Sequence, residues 1–126
     1  MAFIVVVLAA LLAACASPAP NTPDPAQVVQ GLYQAMNDGN IEAAMSFVAD
    51  DVECSGHCHF TGKESFRAFI QGNIDHRDRF EISDLRSSGN KVTFDYVIYR
   101  SEAVFARGVD SVMQTEDGRI FYFELN

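Results

Sequence analysis

Two cysteines and two histidines lie within six positions of the segment ECSGHCHF, residues 53–60. Side chains of these types bind metal ions, act as nucleophilic thiols or form disulfides. Structural zinc sites use ligand pairs that are well separated in sequence, whereas His57, Cys58 and His59 are consecutive and cannot all reach one ion without strain. A redox-active pair is more usually Cys-x-x-Cys beside a helix N-terminus. A Cys54–Cys58 disulfide is therefore favoured, with free thiols and a metal site as the alternatives.

The N-terminal segment bears on which of these chemistries applies. Residues 2–14 form an uncharged apolar run that is too short for a membrane-spanning helix, which needs about 20 residues, but has the length of a signal-peptide core. The sequence LAAC that ends the run resembles the bacterial lipoprotein signal, in which Cys15 would carry the lipid. This implies an exported, membrane-anchored protein of the cell envelope, where Cys54 and Cys58 remain as an even pair in an oxidising compartment. The run lacks a basic start, so an uncleaved anchor is the alternative.

The remaining chain divides into a tether and one domain. Residues 15–25 follow the predicted signal peptide, residues 1–14, and contain all four prolines, which predicts an extended tether. Residues 26–126 have the length of a single domain. The net charge is −8, and every charged residue follows Cys15. This charge argues against nucleic acid as a partner and against docking of the domain face on anionic lipid.

Helix signals come first in the domain and strand signals follow. Asp24 and Pro25 predict the N-cap and first residue of one helix, and Asn40 can cap a second. The segment TGKE, residues 61–64, has the pattern of a capping box for a third helix. After about residue 80 the apolar period changes to two, which predicts antiparallel strands. The last strand, IFYFEL, is apolar on both faces and is therefore central or covered on both sides. The order predicts an α+β fold with helices on one face of a curved sheet.

The other face of the predicted sheet is not polar enough to be bare. It carries Val97 and Tyr99 on one strand and Phe105 and Val109 on the next. Contiguous exposed apolar side chains usually mark an interaction site. A homodimer through this outer face is the economical explanation.

Three segments resemble the SnoaL-like, nuclear transport factor 2-like superfamily: LYQAMNDGNIEAAMSFVADDV (32–52), FTGKESFRAFI (60–70) and VDSVMQTEDGRI (109–120). The resemblance implies a cone-shaped curved antiparallel sheet with three helices packed on its concave side and an apolar pocket inside. Members include isomerases, dehydratases, polyketide cyclases and dimerisation modules. The fold therefore does not fix the activity.

Ketosteroid isomerisation is the best-understood chemistry of this superfamily, and it needs a carboxylate base, a tyrosine and a protonated aspartate. Here the resemblance places the base position at Gly56 and the tyrosine position at Leu32. Only the aspartate position is matched, by Asp110. Ketosteroid isomerase activity is therefore not expected.

Asp110 is the candidate pocket acid and the one candidate catalytic residue. On an alternating strand it shares a face with the small residues Ala106 and Gly108, which is typical of a strand that lines a cavity. The resemblance places this face inside the cone. The alternative is an outward Asp110 that pairs with Arg107 or Arg119.

Other candidate pocket residues are aromatic. Tyr33, Tyr96 and Tyr122 could offer hydroxyls, and Phe60 follows the loop that borders the pocket in the superfamily; core packing is the alternative for all of them. No metal or cofactor is expected. The sequence thus predicts an exported, lipid-anchored protein that binds a small, largely apolar molecule, with isomerase-, cyclase- or dehydratase-like activity left open. The alternative is a non-catalytic dimerisation or interaction module whose cone is filled by its own side chains. A cavity above about 300 Å³ with converging polar groups would favour ligand binding.

Overall fold

The computed structural model describes residues 22–126 of the chain. The predicted signal peptide, the predicted lipidation site Cys15 and tether residues 15–21 lie outside the described residues. The elements are α1 Pro25–Asn37, α2 Ile41–Ser46, β1 Val48–Gly56, β2 Phe60–Thr61, α3 Lys63–Asp75, β3 Arg79–Ser88, β4 Lys91–Arg100, β5 Ala103–Glu116 and β6 Arg119–Leu125. Within residues 22–126, no helix has both the length and the apolar character needed to cross a membrane.

The six strands form one curved sheet in the order β2-β1-β6-β5-β4-β3. The predicted α+β fold and the central position of the last strand are confirmed. The predicted wholly antiparallel pairing is wrong at one place, because β6 runs parallel to β1. Strands β3, β4, β5 and β6 form a meander in which each strand is antiparallel to the next. This meander sets the direction of β6, and in that direction β6 is parallel to β1.

The first two helices begin where the sequence predicts. Asp24 is the N-cap of α1, and its carboxylate accepts a hydrogen bond of 3.1 Å from the Ala26 N–H. Asn40 caps α2 in the same way, through a 3.1 Å hydrogen bond from the Ala43 N–H to its side-chain oxygen. Each side chain satisfies one backbone donor that would otherwise lack a partner.

The predicted capping box of α3 is wrong. The N-cap is Gly62, which has no side chain to cap the helix. Thr61 is instead held in β2, where it pairs with Glu53 of β1, and its N–H donates to the Ser65 hydroxyl at 3.3 Å. The strand pairing of Thr61 prevents its side chain from turning back onto the helix.

The core lies between the three helices and the concave face of the sheet. Side chains from α1 and α3 meet side chains from β4, β5 and β6 there, and many are fully buried. The largest of these are Leu32, Phe66, Ile70, Phe94, Met113 and Ile120.

Strand β5 carries two bulges against β4. Phe94 pairs with Ser111 but Tyr96 pairs with Gly108. Val109 and Asp110 of β5 therefore lie opposite a single residue of β4, Asp95. A bulge adds one residue to a strand and breaks the alternation of side chains between the two faces. Because Gly108 and Ser111 are both buried, Val109 and Asp110 both project from the outer, convex face. At a second bulge Ile98 pairs with Ala106 but Tyr99 pairs with Val104. Val104 and Phe105 therefore both project from the outer face.

Candidate functional site

The cone encloses a cavity of about 20 Å³, which is close to the space of one water molecule. The cavity lies between α1, α3 and the concave face of the sheet. Eight of its ten lining side chains are wholly apolar, and the other two are tyrosines. The lining consists of Leu32, Tyr33, Met36, Phe66, Phe69, Phe80, Tyr96, Ile98, Phe123 and Leu125.

Aromatic rings fill most of the cone. Phe66 lies 5.5 Å from Phe123 between ring centroids, and Phe60 contacts both at 5.2 and 5.4 Å. Tyr33 packs against Phe80 at 5.5 Å on the other side of the cavity. Tilted and edge-to-face contacts at these distances stabilise the packing beyond the burial of area alone. The interior is therefore closed by side chains rather than open.

Tyr33 and Tyr96 lie in the cavity wall, as predicted from the sequence, and are 6% and 4% exposed. Neither hydroxyl has a hydrogen-bond partner among residues 22–126. Every side-chain oxygen or nitrogen atom that is fully buried in this part of the chain has a hydrogen-bond partner. Both hydroxyl oxygens therefore retain some accessible surface.

Both tyrosines stay protonated at physiological pH. Burial, and secondarily the nearby Tyr96, raises the pKa of Tyr33 far above its usual range. Burial also raises the pKa of Tyr96. A protonated phenol is a hydrogen-bond donor, so the wall presents two unused donors in apolar surroundings.

The most accessible part of the cavity wall lies between α3 and β4. Phe69 of α3 and Ile98 of β4 are the lining residues that are only half-buried. Met36 of α1 lines the cavity beside them, and its unbranched side chain changes rotamer readily. Rotation of these three side chains would widen the cavity without moving the sheet.

Two of the predicted pocket aromatics do not line the cavity. Phe60 lies one layer behind it and contacts Phe66, Phe69 and Phe123, which do line it. Tyr122 alternates with the inward Phe123, and its hydroxyl shares a hydrogen bond of 2.8 Å with the Ser55 hydroxyl. The predicted pocket positions of Phe60 and Tyr122 are corrected accordingly.

The prediction that Asp110 lies inside the cone is also wrong. Its side chain is 71% exposed and pairs with Arg86 at 2.8 Å, while its N–H donates to the Asp95 carboxylate at 3.0 Å. The bulge at Val109 and Asp110 turns Asp110 to the outer face. The outward alternative was right about the face, but the partner is Arg86 rather than Arg107 or Arg119.

Cys54 and Cys58 form a disulfide with a Cα–Cα distance of 5.6 Å. The loop that it closes is attached to the cavity wall, because the His57 N–H donates to the carbonyl of Leu125 at 2.7 Å. His57 and His59 are exposed. No group of three or more His, Cys, Asp or Glu side chains within residues 22–126 is placed to hold a metal ion.

Removal of the bridge by the double change Cys54→Ser and Cys58→Ser should lower the free energy of unfolding by about 2 kcal/mol, because a closed ring of five residues restricts the unfolded chain. Urea denaturation with and without dithiothreitol measures this. Reductant should lower the urea midpoint of the wild type and leave the variant unchanged. Equal midpoints for the oxidised wild type and the variant would show that the bridge contributes no stability.

The fold and the cavity define a class of protein: a cone-shaped α+β domain built around an apolar interior. The model of the SnoaL-like domain matches residues 29–123, and the chain belongs to this family. No curated protein matches the sequence closely enough to count as a relative.

Solved structures with the same fold include proteins with and without a known ligand. A nuclear transport factor 2-like protein of unknown function from Cytophaga hutchinsonii is 18% identical with a TM-score of 0.69, covering 82% of this chain and 88% of that one. A Mycobacterium tuberculosis protein in complex with estradiol-17beta-hemisuccinate is 20% identical with a TM-score of 0.69, covering 82% and 93%. A computationally designed 17-OHP binder is 21% identical with a TM-score of 0.72, covering 83% and 92%. At these identities the likeness establishes the fold alone.

Proposed function

We propose that this protein binds a small, largely apolar molecule that carries a hydrogen-bond acceptor such as a carbonyl group. The observation that carries the proposal is the pair of unpartnered hydroxyls, on Tyr33 and Tyr96, in an otherwise apolar wall. A ligand oxygen between or beside these hydroxyls would accept a hydrogen bond that contributes about 0.5–1.5 kcal/mol.

The ligand would enter by displacing side chains at the mouth. A cavity of about 20 Å³ holds no organic molecule, since ligand pockets usually measure about 300–1,000 Å³. Phe69, Ile98 and Met36 can rotate away because two are half-buried and the third is flexible. Their movement costs free energy, so the expected affinity is modest.

The cavity wall supports binding rather than proton-transfer catalysis. It contains no Asp, Glu, His or Lys among its ten lining residues. A general base must be deprotonated near neutral pH, and the raised pKa values of Tyr33 and Tyr96 keep both protonated. An isomerase or dehydratase would need a base that this wall does not supply.

Export and lipid anchoring at Cys15 remain part of the proposal. The Cys54–Cys58 disulfide supports an oxidising compartment, because such bridges persist in exported proteins and are rare in the cytosol. One protein of the same fold is in complex with an estradiol derivative and another is designed as a 17-OHP binder, which supports an apolar ligand.

The alternative is a non-catalytic interaction module with a filled cone. The small volume of the cavity favours it, because the rings of Phe66, Phe80 and Phe123 already occupy the interior. The two functions differ in whether a small molecule enters between α3 and β4.

A matched pair of probes tests the proposal: 2-acetylnaphthalene, which carries a carbonyl, and 2-isopropenylnaphthalene, which has the same shape without an acceptor. The ketone should bind about 3- to 10-fold more tightly, because one hydrogen bond contributes about 0.5–1.5 kcal/mol. The double change Tyr33→Phe and Tyr96→Phe should abolish the difference. Calorimetry or fluorescence titration of the probes measures it.

Phe69→Ala should strengthen binding of both probes, since it removes the side chain that closes the mouth. Phe121→Ala, at a half-buried residue that does not line the cavity, is the control and should change neither affinity. Failure of both probes to bind wild type and Phe69→Ala would support the filled-cone module. Equal binding of ketone and alkene would refute the role of the hydroxyls.

A further inference from the structure

A surface groove lies beside the cavity, where α1 and α3 end and β3 begins. Its volume is about 330 Å³, much larger than the cavity of about 20 Å³. Met36 lines both the cavity and the groove, and Ile74 of α3 adds to the apolar part of the groove. Because Met36 borders both spaces, a molecule that enters the cone past Met36 can extend its outer end into the groove.

Two arginines connect this groove to a second one on the β4 side of the same region. Arg77 and Arg79 line the first groove and also the second, which has a volume of about 410 Å³. We call the second one the arginine groove. Its lining consists of His76, Arg77, Arg79, Tyr99, Ser101 and Glu102. The outer end of a bound molecule would therefore reach these polar side chains.

Asp78 does not neutralise the two arginines that flank it in the sequence. Its side chain has no exposed surface, and its two carboxylate oxygens accept hydrogen bonds from the Arg100 guanidinium, both at 2.8 Å. A bidentate arginine–carboxylate pair of this kind satisfies the charge and the geometry of both groups. Asp78 is thus engaged by Arg100, and the charges of Arg77 and Arg79 remain for other partners.

Arg77 is the cation of the arginine groove that has no partner. Its side chain forms no ion pair or hydrogen bond within residues 22–126. It follows α3 with a φ of +55°, at a position where glycine is the usual residue. Arg79, by contrast, pairs with Glu81 and stacks on the Tyr99 ring at 4.3 Å.

The arginine groove offers mainly hydrogen-bond donors. The Ser101 hydroxyl and the His76 ring also have no partner in the part of the chain that the structure describes. Glu102 is the carboxylate of the lining, and it forms no ion pair with either arginine. The chain as a whole carries a net charge of −8, but salt screens charges beyond about 8 Å at physiological ionic strength. The neighbouring guanidinium groups therefore decide which ion binds here.

We propose that the arginine groove binds an anionic oxygen head group, such as a carboxylate, of a ligand whose apolar part occupies the cone. Arg77 recognises the head group, because its planar guanidinium can donate two parallel hydrogen bonds to a carboxylate. This inference rests on the proposed function and narrows the ligand class to an anionic amphiphile.

A second pair of probes tests the inference: decanoate and 1-decanol, which have the same chain length and differ in charge. At neutral pH decanoate should bind the wild type about 3- to 10-fold more tightly, since an ion pair open to solvent contributes modestly. Calorimetric titration measures both affinities. Raising the salt concentration should reduce the preference for decanoate.

Variants assign the preference to the groove. Arg77→Gln should abolish the preference for decanoate, and Arg77→Lys should keep part of it. Lys91→Gln is the matched control: it removes the same charge from an exposed residue without an ion pair at the other end of β4, and it should leave the preference unchanged. Glu102→Gln removes the opposing carboxylate and should increase the preference.

The outcomes separate this inference from the proposed function. Equal affinity for decanoate and decanol, or the same loss in Arg77→Gln and Lys91→Gln, would overturn the anion site. Binding of 2-acetylnaphthalene without binding of decanoate would overturn it as well, and the proposed function would stand. A preference for decanoate without a preference for the ketone would support the groove and refute the role of the tyrosine hydroxyls. Failure of every probe to bind would overturn both proposals.

Discussion

Phe66→Ala should lower the free energy of unfolding by about 3–5 kcal/mol, the usual range for removal of a buried phenylalanine ring. Phe66 is fully buried and packs against the rings of Phe60 and Phe123 at 5.2 and 5.5 Å. These two neighbouring rings cannot collapse into the space of the third without moving α3 and β6. The loss combines transfer of the ring to water with the cavity left behind. Urea denaturation followed by circular dichroism measures it.

The same variant reports on the ability of the cone to hold a ligand. The space left by Phe66 has the size of a benzene ring and adjoins the natural cavity. Benzene should therefore raise the melting temperature of Phe66→Ala and leave the wild type unchanged, because a ligand that binds only the folded state stabilises it. Phe121→Ala, at a half-buried site, should cost about 1 kcal/mol and show no benzene effect.

Phe66→Leu is a milder change at the same site, and it keeps the prediction testable if Phe66→Ala does not fold. It keeps most of the apolar volume, so its expected loss is about 1–2 kcal/mol. A loss below about 1 kcal/mol for Phe66→Ala, or the same benzene effect in the wild type, would show that the interior is looser than the structure describes.

Helix starts could be predicted from the sequence because their causes are local. Asp24 and Asn40 bond to backbone groups two and three residues away, so a short stretch of sequence contains the whole interaction. Thr61 failed as a cap because its strand partner, Glu53, lies eight residues earlier and competes for the same backbone. A local pattern does not contain that competition.

The position of Asp110 was wrong for a related reason. The prediction assumed that side chains alternate without interruption along β5, but the bulges add residues to one strand and not to its partner. A bulge depends on the pairing of two strands, which the sequence of one strand does not reveal. Phe105 and Val109 are exposed on the outer face, where uninterrupted alternation also places them.

The cavity itself could not be predicted from composition. Ten phenylalanines and four tyrosines are compatible with an open or a filled cone. Tyr33 and Tyr96 were correctly placed at the wall, because a helix period and a strand period of two each identify their inward side. Tyr122 was misplaced because β6 is apolar on both faces, so its pattern does not distinguish inside from outside.

The second large effect is expected at Gly56, where β1 ends beside the last residues of β6. Gly56 has a φ of +83°, in the left-handed region that favours glycine. A Cβ atom there would lie 2.2 Å from the carbonyl oxygen and 3.0 Å from the carbonyl carbon of Leu125. These are backbone atoms, so no side-chain rotation relieves the clash. The disulfide ring of Cys54 and Cys58 further restricts any movement of Gly56.

Gly56→Ala should therefore lower the free energy of unfolding by about 3 kcal/mol or more, since it combines overpacking with an unfavourable backbone conformation. Gly89→Ala is the matched control: Gly89 has a φ of +60°, but an added Cβ there meets nothing within 4 Å. Its expected loss is about 1 kcal/mol, from the backbone conformation alone. Because Leu125 lines the cavity, Gly56→Ala should also weaken binding of 2-acetylnaphthalene, whereas Gly89→Ala should not. Equal losses of stability in the two variants would mean that β6 yields freely at Leu125, and that the disulfide loop does not fix this side of the cavity wall.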